Sequence, residues 1–234
     1  MTRGGRLLVL CTLLAAAGAG WPHQTRAADS LAGLAKEQGN GSRFTLQSQG
    51  STFDMNVGLV KVDPAASRTV IEVFAAAQLA DPLWQQFVIG LKGDRPVVES
   101  GYIQVGNKAP MVLPKQHLSG VGGLDVGLFM LSEAELRKGK TGDLKLVGSE
   151  TLTTPAGTVA CSHYRLDKGG QKIDAWISDE ARPIGLVRMV SVGQKTEQNY
   201  QLELRELLSG IAPKIDPAKA GPLSDEMKAI LTRP

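Results

Sequence analysis

Cysteine is almost missing from this chain. Of the two present, Cys11 sits in an apolar N-terminal run and Cys161 lies alone far downstream. Removal of the N-terminal run leaves no internal disulfide to make, so the folded part must rely on packing. Histidine is just as scarce, with His23, His117 and His163 the only three. Zinc needs three or four Cys, His or carboxylate ligands at workable spacings, and these residues are too few and too scattered. The alternating acids of a calcium loop are also missing. Gly120-Val121-Gly122-Gly123 lacks the Lys-Ser/Thr ending of a phosphate-binding loop, and it reads as a flexible loop. No Gly-x-Ser-x-Gly elbow is present either. The expectation is therefore no metal, no cofactor and no catalytic constellation, hence no enzyme.

A long apolar run is lacking too. Residues 7–20 are rich in Leu and Ala, but they fall short of the roughly 20 residues that span a bilayer. With Arg3 and Arg6 ahead of the run and Thr25-Arg26-Ala27 behind it, residues 1–27 read as a cleavable export signal. Cys11 is preceded by Val9-Leu10, not by the small residues that lipidation requires. The expected product is a soluble periplasmic or secreted protein, not membrane-spanning once the signal is cleaved.

An excess of one charge is the next absence. The chain carries 26 Lys and Arg against 23 Asp and Glu, and residues 1–27 hold three of the arginines and no acid. Taking those three from 26 leaves 23 basic residues facing 23 acidic ones. No net positive field remains to attract nucleic acid or an anionic membrane surface.

Strand signals are what the chain does have. Phe44, Leu46 and Ser48 alternate with Arg43, Thr45 and Gln47, and Tyr200, Leu202 and Leu204 alternate with Gln201, Glu203 and Arg205. That period of two marks strands with one buried and one wet face. Residues 57–62, 69–74, 87–91, 97–105, 111–113, 144–152, 158–166, 172–178, 184–192 and 195–205 are further strand candidates. Turn residues at 90–94, 154–157, 167–170 and 192–194 join them closely. Such short links require antiparallel neighbours. Helices are expected to be few: residues 30–36, a capping box at Ser132-Glu133-Ala134-Glu135, and a terminal helix to Leu231 capped by Ser224. Three prolines, Pro213, Pro217 and Pro222, make residues 211–222 read as a linker. The organisation expected is a signal over 1–27, a β domain over 28–210, and a Pro-rich tail with a short helix over 211–234.

Cys161-Ser162-His163 is the stretch closest to reactive chemistry. Residues i and i+2 share a strand face, so Cys161 and His163 face the same way. Their Cβ atoms are then nearly 7 Å apart, at about 3.3 Å of rise per residue, which is long for a thiol–imidazole contact. A half-buried strand is the better reading, since nothing nearby predicts a lowered thiol pKa. Asp81-Pro82 is a break after which a lid-like segment carrying Trp84 is expected. Trp176 shares a face with Lys172 and Asp174, opposite Ile173, Ala175 and Ile177.

The run from Gly148 to Tyr164 (GSETLTTPAGTVACSHY), then Asp174-Ala175-Trp176-Ile177-Ser178, then Pro183-Ile184-Gly185-Leu186-Val187-Arg188-Met189, carries a family resemblance. It resembles uncharacterised exported bacterial proteins related to the periplasmic lipoprotein-carrier (LolA/LolB-like) superfamily, most clearly over residues 143–205. The resemblance implies a mainly β fold, an antiparallel open half-barrel with a few short helices around an apolar concavity. It also implies binding of acyl chains or service as an envelope interaction module.

The expectation that follows is a non-enzymatic exported protein binding a lipid, a lipidated protein or another apolar ligand in a concave sheet. Trp84, Phe87, Phe129, Met130, Trp176, Met189 and Tyr200 are the candidate lining, because large apolar side chains suit a concave site. An envelope interaction module with a filled barrel is the alternative. A thiol-dependent enzyme using Cys161 and His163 is the third reading.

Overall fold

The computed structural model describes residues 34–76, 81–92, 95–118, 144–168 and 170–231. Their alternating sequences become strands because one row of side chains has an apolar layer to enter while the other meets solvent. In chain order these are β1 (Gly41–Ser48), β2 (Ser51–Asp63), β3 (Arg68–Ala76), β4 (Leu83–Lys92), β5 (Arg95–Val105) and the short β6 (Met111–Val112). After residues outside the description come β7 (Lys145–Thr154), β8 (Gly157–Lys168), β9 (Gln171–Ile177), β10 (Leu186–Val192) and β11 (Tyr200–Leu208).

All eleven join one antiparallel sheet in the order β6-β5-β4-β3-β2-β1-β11-β10-β9-β8-β7. The sheet is open, not closed into a barrel. It consists of two meanders, β1 to β6 and β7 to β11, fused where the first strand pairs with the last. Phe44 sits opposite Leu204 and Leu46 opposite Leu202 at that seam.

Tight turns impose the antiparallel order. β1 and β2 are joined by Gln49-Gly50 alone, with φ of 51° and 70°. Positive φ at both central residues matches the right-handed twist of a two-residue hairpin, and glycine takes the second position without steric cost. The 154–157 turn forms as its residues suggest, with Thr154 paired to Gly157.

The inner face carries the main core. From β4 across to β8 it presents Phe87, Ile71, Leu59, Val57, Phe44, Leu204, Met189, Ala175 and Tyr164, all buried. Full burial of each such large apolar side chain contributes about 1.5–3 kcal/mol. The chain after β6 turns beneath this face. A Cβ on Gly101 would stand 2.6 Å from Leu118 Cδ2 and 3.2 Å from Leu113 Cδ1, so both leucines press against the sheet next to Phe87.

Several expectations change. Residues 195–199 hold a 3-10 turn at Thr196–Gln198, so β11 begins only at Tyr200. Trp84 is the second residue of β4 and is carried by a paired strand, not by a lid, because Leu83 already pairs with Ala75 and Val105. Residues 211–222 are not a free linker but a strap packed across the sheet's outer face. Ile211 N–H donates to Gly39 O at 2.7 Å, and Gly221 exchanges backbone hydrogen bonds with the β6 region. Ser224 then caps α1 (Asp225–Leu231), its Oγ accepting from Met227 N–H at 3.2 Å, as the sequence suggests. The expected helix at 30–36 is described only from Leu34 onward. The capping box at 132–135 lies outside the described residues.

Candidate functional site

Beneath the strap, one cross-strand row organises the outer face. Register places Gly41, Gly58, Glu72, Gln86 and Tyr102 side by side on β1 to β5. The two glycines leave a flat patch that the Ile211 side chain occupies. A Cβ on Gly58 would come within 2.9 Å of Ile211 Cγ2, and one on Gly41 within 2.4 Å of the Val57 carbonyl oxygen.

Further along the row the strap is held by a carboxylate. Glu72 is only 3% exposed. Its oxygens accept from the backbone N–H groups of Lys214 (2.9 Å) and Ile215 (2.9 Å) and from Gln86 Nε2 (2.8 Å). Three donors on one carboxylate make up for lost hydration, which is why an acid can sit here at all. Gln86 Nε2 also donates to Ile215 O at 3.0 Å.

Between the strap and β2 to β5 runs an open groove of about 930 Å³. Val60, Val70, Val88 and Tyr102 give it apolar lining, Gln86 contributes an amide, and Pro213 to Pro217 form one wall. Lys61, Asp63, Arg68 and Glu99 stand along its side. Arg68 and Glu99 neutralise each other through an Nε–Oε2 contact of 2.7 Å. Lys61 and Lys214 remain exposed lysines at the groove. The dimensions and mixed lining suit a molecule with an apolar body and a polar end.

A second polar cluster lies on the other half of the outer face. His163 on β8 stacks on Trp176 of β9, with centroids 4.5 Å apart and planes 11° from parallel. The His163 Nε2 faces Asp174 Oδ1 at 2.6 Å, and Nδ1 lies 3.6 Å from Glu150 Oε1. Trp176 Nε1–H donates to the same Glu150 carboxylate, and Arg165 Nε donates to Asp174 at 2.8 Å. Burial works to raise the Asp174 pKa, but the hydrogen bonds and charges of Arg165 and His163 outweigh it and hold the carboxyl below its ordinary value. Cys161 is buried two residues before His163, its Sγ donating to Val159 O at 3.4 Å, beside a cavity of about 440 Å³ that Ser149, Asp179 and Glu180 also line. His163 thus meets carboxylates at both ring nitrogens.

The residues expected to line a concavity divide between the two faces. Phe87 (0% exposed), Met189 (1%) and Tyr200 (4%) lie on the inner face and are sealed in the core. Burial pushes the Tyr200 phenol well above its ordinary pKa, only partly offset by a hydrogen bond with Ser191. Trp84 and Trp176 are half-buried on the outer face, at opposite halves of the sheet. Trp84 packs on Phe74 with centroids 4.4 Å apart, while Trp176 belongs to the histidine cluster. Phe129 and Met130 lie outside the described residues. Glu72 and Gln86 were not singled out in the sequence. Their signal was faint: a Glu between Ile71 and Val73, and a Gln pair ahead of Phe87, at strand positions whose neighbours are apolar.

No family model matches the chain, and no curated protein matches it. Solved structures are similar at low identity. A Bacteroides fragilis protein described as exported, with a YmcC-like fold, is 13% identical, with 74% of this chain and 96% of that one covered and a TM-score of 0.40. MucB is 14% identical, with 83% and 62% covered and a TM-score of 0.36, and the MucB of Pseudomonas aeruginosa is also solved in complex with MucA. A Parabacteroides distasonis protein described as a lipoprotein is 12% identical, with 73% and 95% covered and a TM-score of 0.31. Scores at this level do not assign function. Among the described residues, no helix is long and apolar enough to cross a membrane, and no group of three or more His, Cys, Asp or Glu could hold a metal ion.

Proposed function

We propose that this chain is a non-catalytic binding protein of the cell envelope, exported by residues 1–27, that takes an apolar or amphipathic ligand. The observation that carries this is the groove between the strap and the outer face, with its valine lining and charged margin. Its volume of about 930 Å³ lies within the range of small-molecule sites, which run to roughly 1,000 Å³. The inner face, where an acyl chain would enter a half-barrel, is occupied at Phe87 by the chain's own Leu113 and Leu118. That packing supports reading the binding surface on the outside of the sheet. It also favours one second reading, an envelope interaction module with a filled interior that binds a protein on its rim.

Native mass spectrometry of residues 28–234, purified from a bacterial periplasm without detergent, tests the proposal. A discrete added mass that resolves on extraction into an apolar or amphipathic molecule is the expected result. A clean unliganded mass that stays so when acyl lipids and other apolar molecules are offered would overturn it in favour of the second reading.

A further inference from the structure

Gln86 lies between Glu72 and Tyr102 in the row beneath the strap and is 2% exposed. Its neighbours settle the orientation of its amide. Both hydrogen bonds from Nε2 end on atoms that can only accept, a Glu72 carboxylate oxygen and the Ile215 carbonyl. Turning the amide over would set oxygen against oxygen twice. Oε1 is therefore a committed acceptor, and among the described residues no donor reaches it. A buried acceptor left in that state is costly, and such atoms are rare in folded proteins.

Gln86 also lines the groove. With the Glu72 carboxylate buried behind it, this end of the groove offers acceptors and negative charge. We propose that the groove binds an amphipathic molecule through a hydroxyl or N–H group donated to Gln86 Oε1, with the apolar body along Val60, Val70 and Val88. This rests on the groove being the binding site. An ether or ester head leaves Oε1 unmet, and a carboxylate head is repelled by Glu72. Oε1 is shielded beneath the strap, so the donor reaches it as residues 213–217 shift outward. The backbone amides of Lys214 and Ile215 report that shift.

Two matched probes separate the cases: 1-decanol, which donates, and decyl methyl ether, which only accepts. Calorimetric titration of the full chain should show the alcohol binding about tenfold tighter, the worth of one buried hydrogen bond. The side-chain amide resonances of Gln86 should move with the alcohol and not with the ether, and hydrogen exchange at Lys214 and Ile215 should quicken. In Gln86→Met the preference should fall to near unity. Equal saturable affinities for the two probes in the wild-type chain would overturn the role of Gln86 while leaving the groove as a binding site, as would a preference that survives in Gln86→Met. Saturable binding of neither probe would overturn the groove reading and this proposal with it. The wild-type comparison stands whether or not the variant folds.

Discussion

Asp174 is held by two cationic or hydrogen-bonding neighbours, Arg165 and His163, on adjacent strand positions. Its folded pKa lies below the ordinary 3.8 in spite of burial. A depressed carboxylate stabilises the fold at every pH above the unfolded value, and that stabilisation is lost as pH falls through the folded value. Asp174→Asn should therefore lower the urea midpoint at pH 7, and the gap to wild type should close below the ordinary carboxylate range. A gap that stays constant from pH 7 down to pH 3 would mean that the Asp174 ion pairs contribute nothing. The neighbouring stack of His163 on Trp176 also explains why Cys161-Ser162-His163 looks like chemistry in one dimension. The strand does put the thiol and the imidazole on one face, but β7 and β9 bring Glu150 and Asp174 to the ring first.

At the scale of elements, the strap is the unexpected part. Its prolines limit its sheet pairing to a single bridge at Gly221, and other backbone groups find side-chain and loop partners: Glu72, Gln86 and the Gly39 carbonyl. Glycine at 58 is what lets the strap lie flat. In Gly58→Ala the new methyl would press on Ile211, at 2.9 Å from Cγ2 and 3.0 Å from Cδ1. Overpacking of this kind costs about 1–3 kcal/mol. The expected signature is a lower denaturation midpoint together with faster hydrogen exchange at the amides of Lys214 and Ile215. Unchanged exchange there would show that the strap does not depend on the glycine patch.

At the scale of the molecule, the seam between β1 and β11 decides whether there are one or two folding units. Thr45 and Arg205 touch although they are 160 residues apart in sequence. Closing so long a loop is slow but adds little to the equilibrium cost. Continuous apolar packing across the seam, through Phe44 and Leu204, should make both meanders unfold together. Trp84 reports from one meander and Trp176 from the other. Leu204→Ala should cost about 2–5 kcal/mol, as other deletions of buried leucine do. Single-tryptophan versions keeping either Trp84 or Trp176 should show the same shifted midpoint. Separate midpoints for the two reporters would mean that the meanders are independent.

Local pattern alone determined the class of this protein. Alternation at 43–48 and 200–205, β-branched runs between them and turn residues at 154–157 and 167–170 all act within a few residues, so antiparallel strands could be read from the chain. The capped terminal helix was legible for the same reason. Tertiary structure decided what no short window contains. The pairing of β1 with β11 depends on two distant strands sharing an apolar layer, and a period of two says which residues share a face but not which face is inside. Phe87, Met189 and Tyr200 went to the core while Trp84 and Trp176 went outward, and nothing local to any of them distinguishes the outcomes. The strap followed the same logic. Three prolines signal a segment that cannot form strand or helix, and only the glycine patch and the Glu72 carboxylate, brought together by sheet register, turned that segment into a wall of the groove.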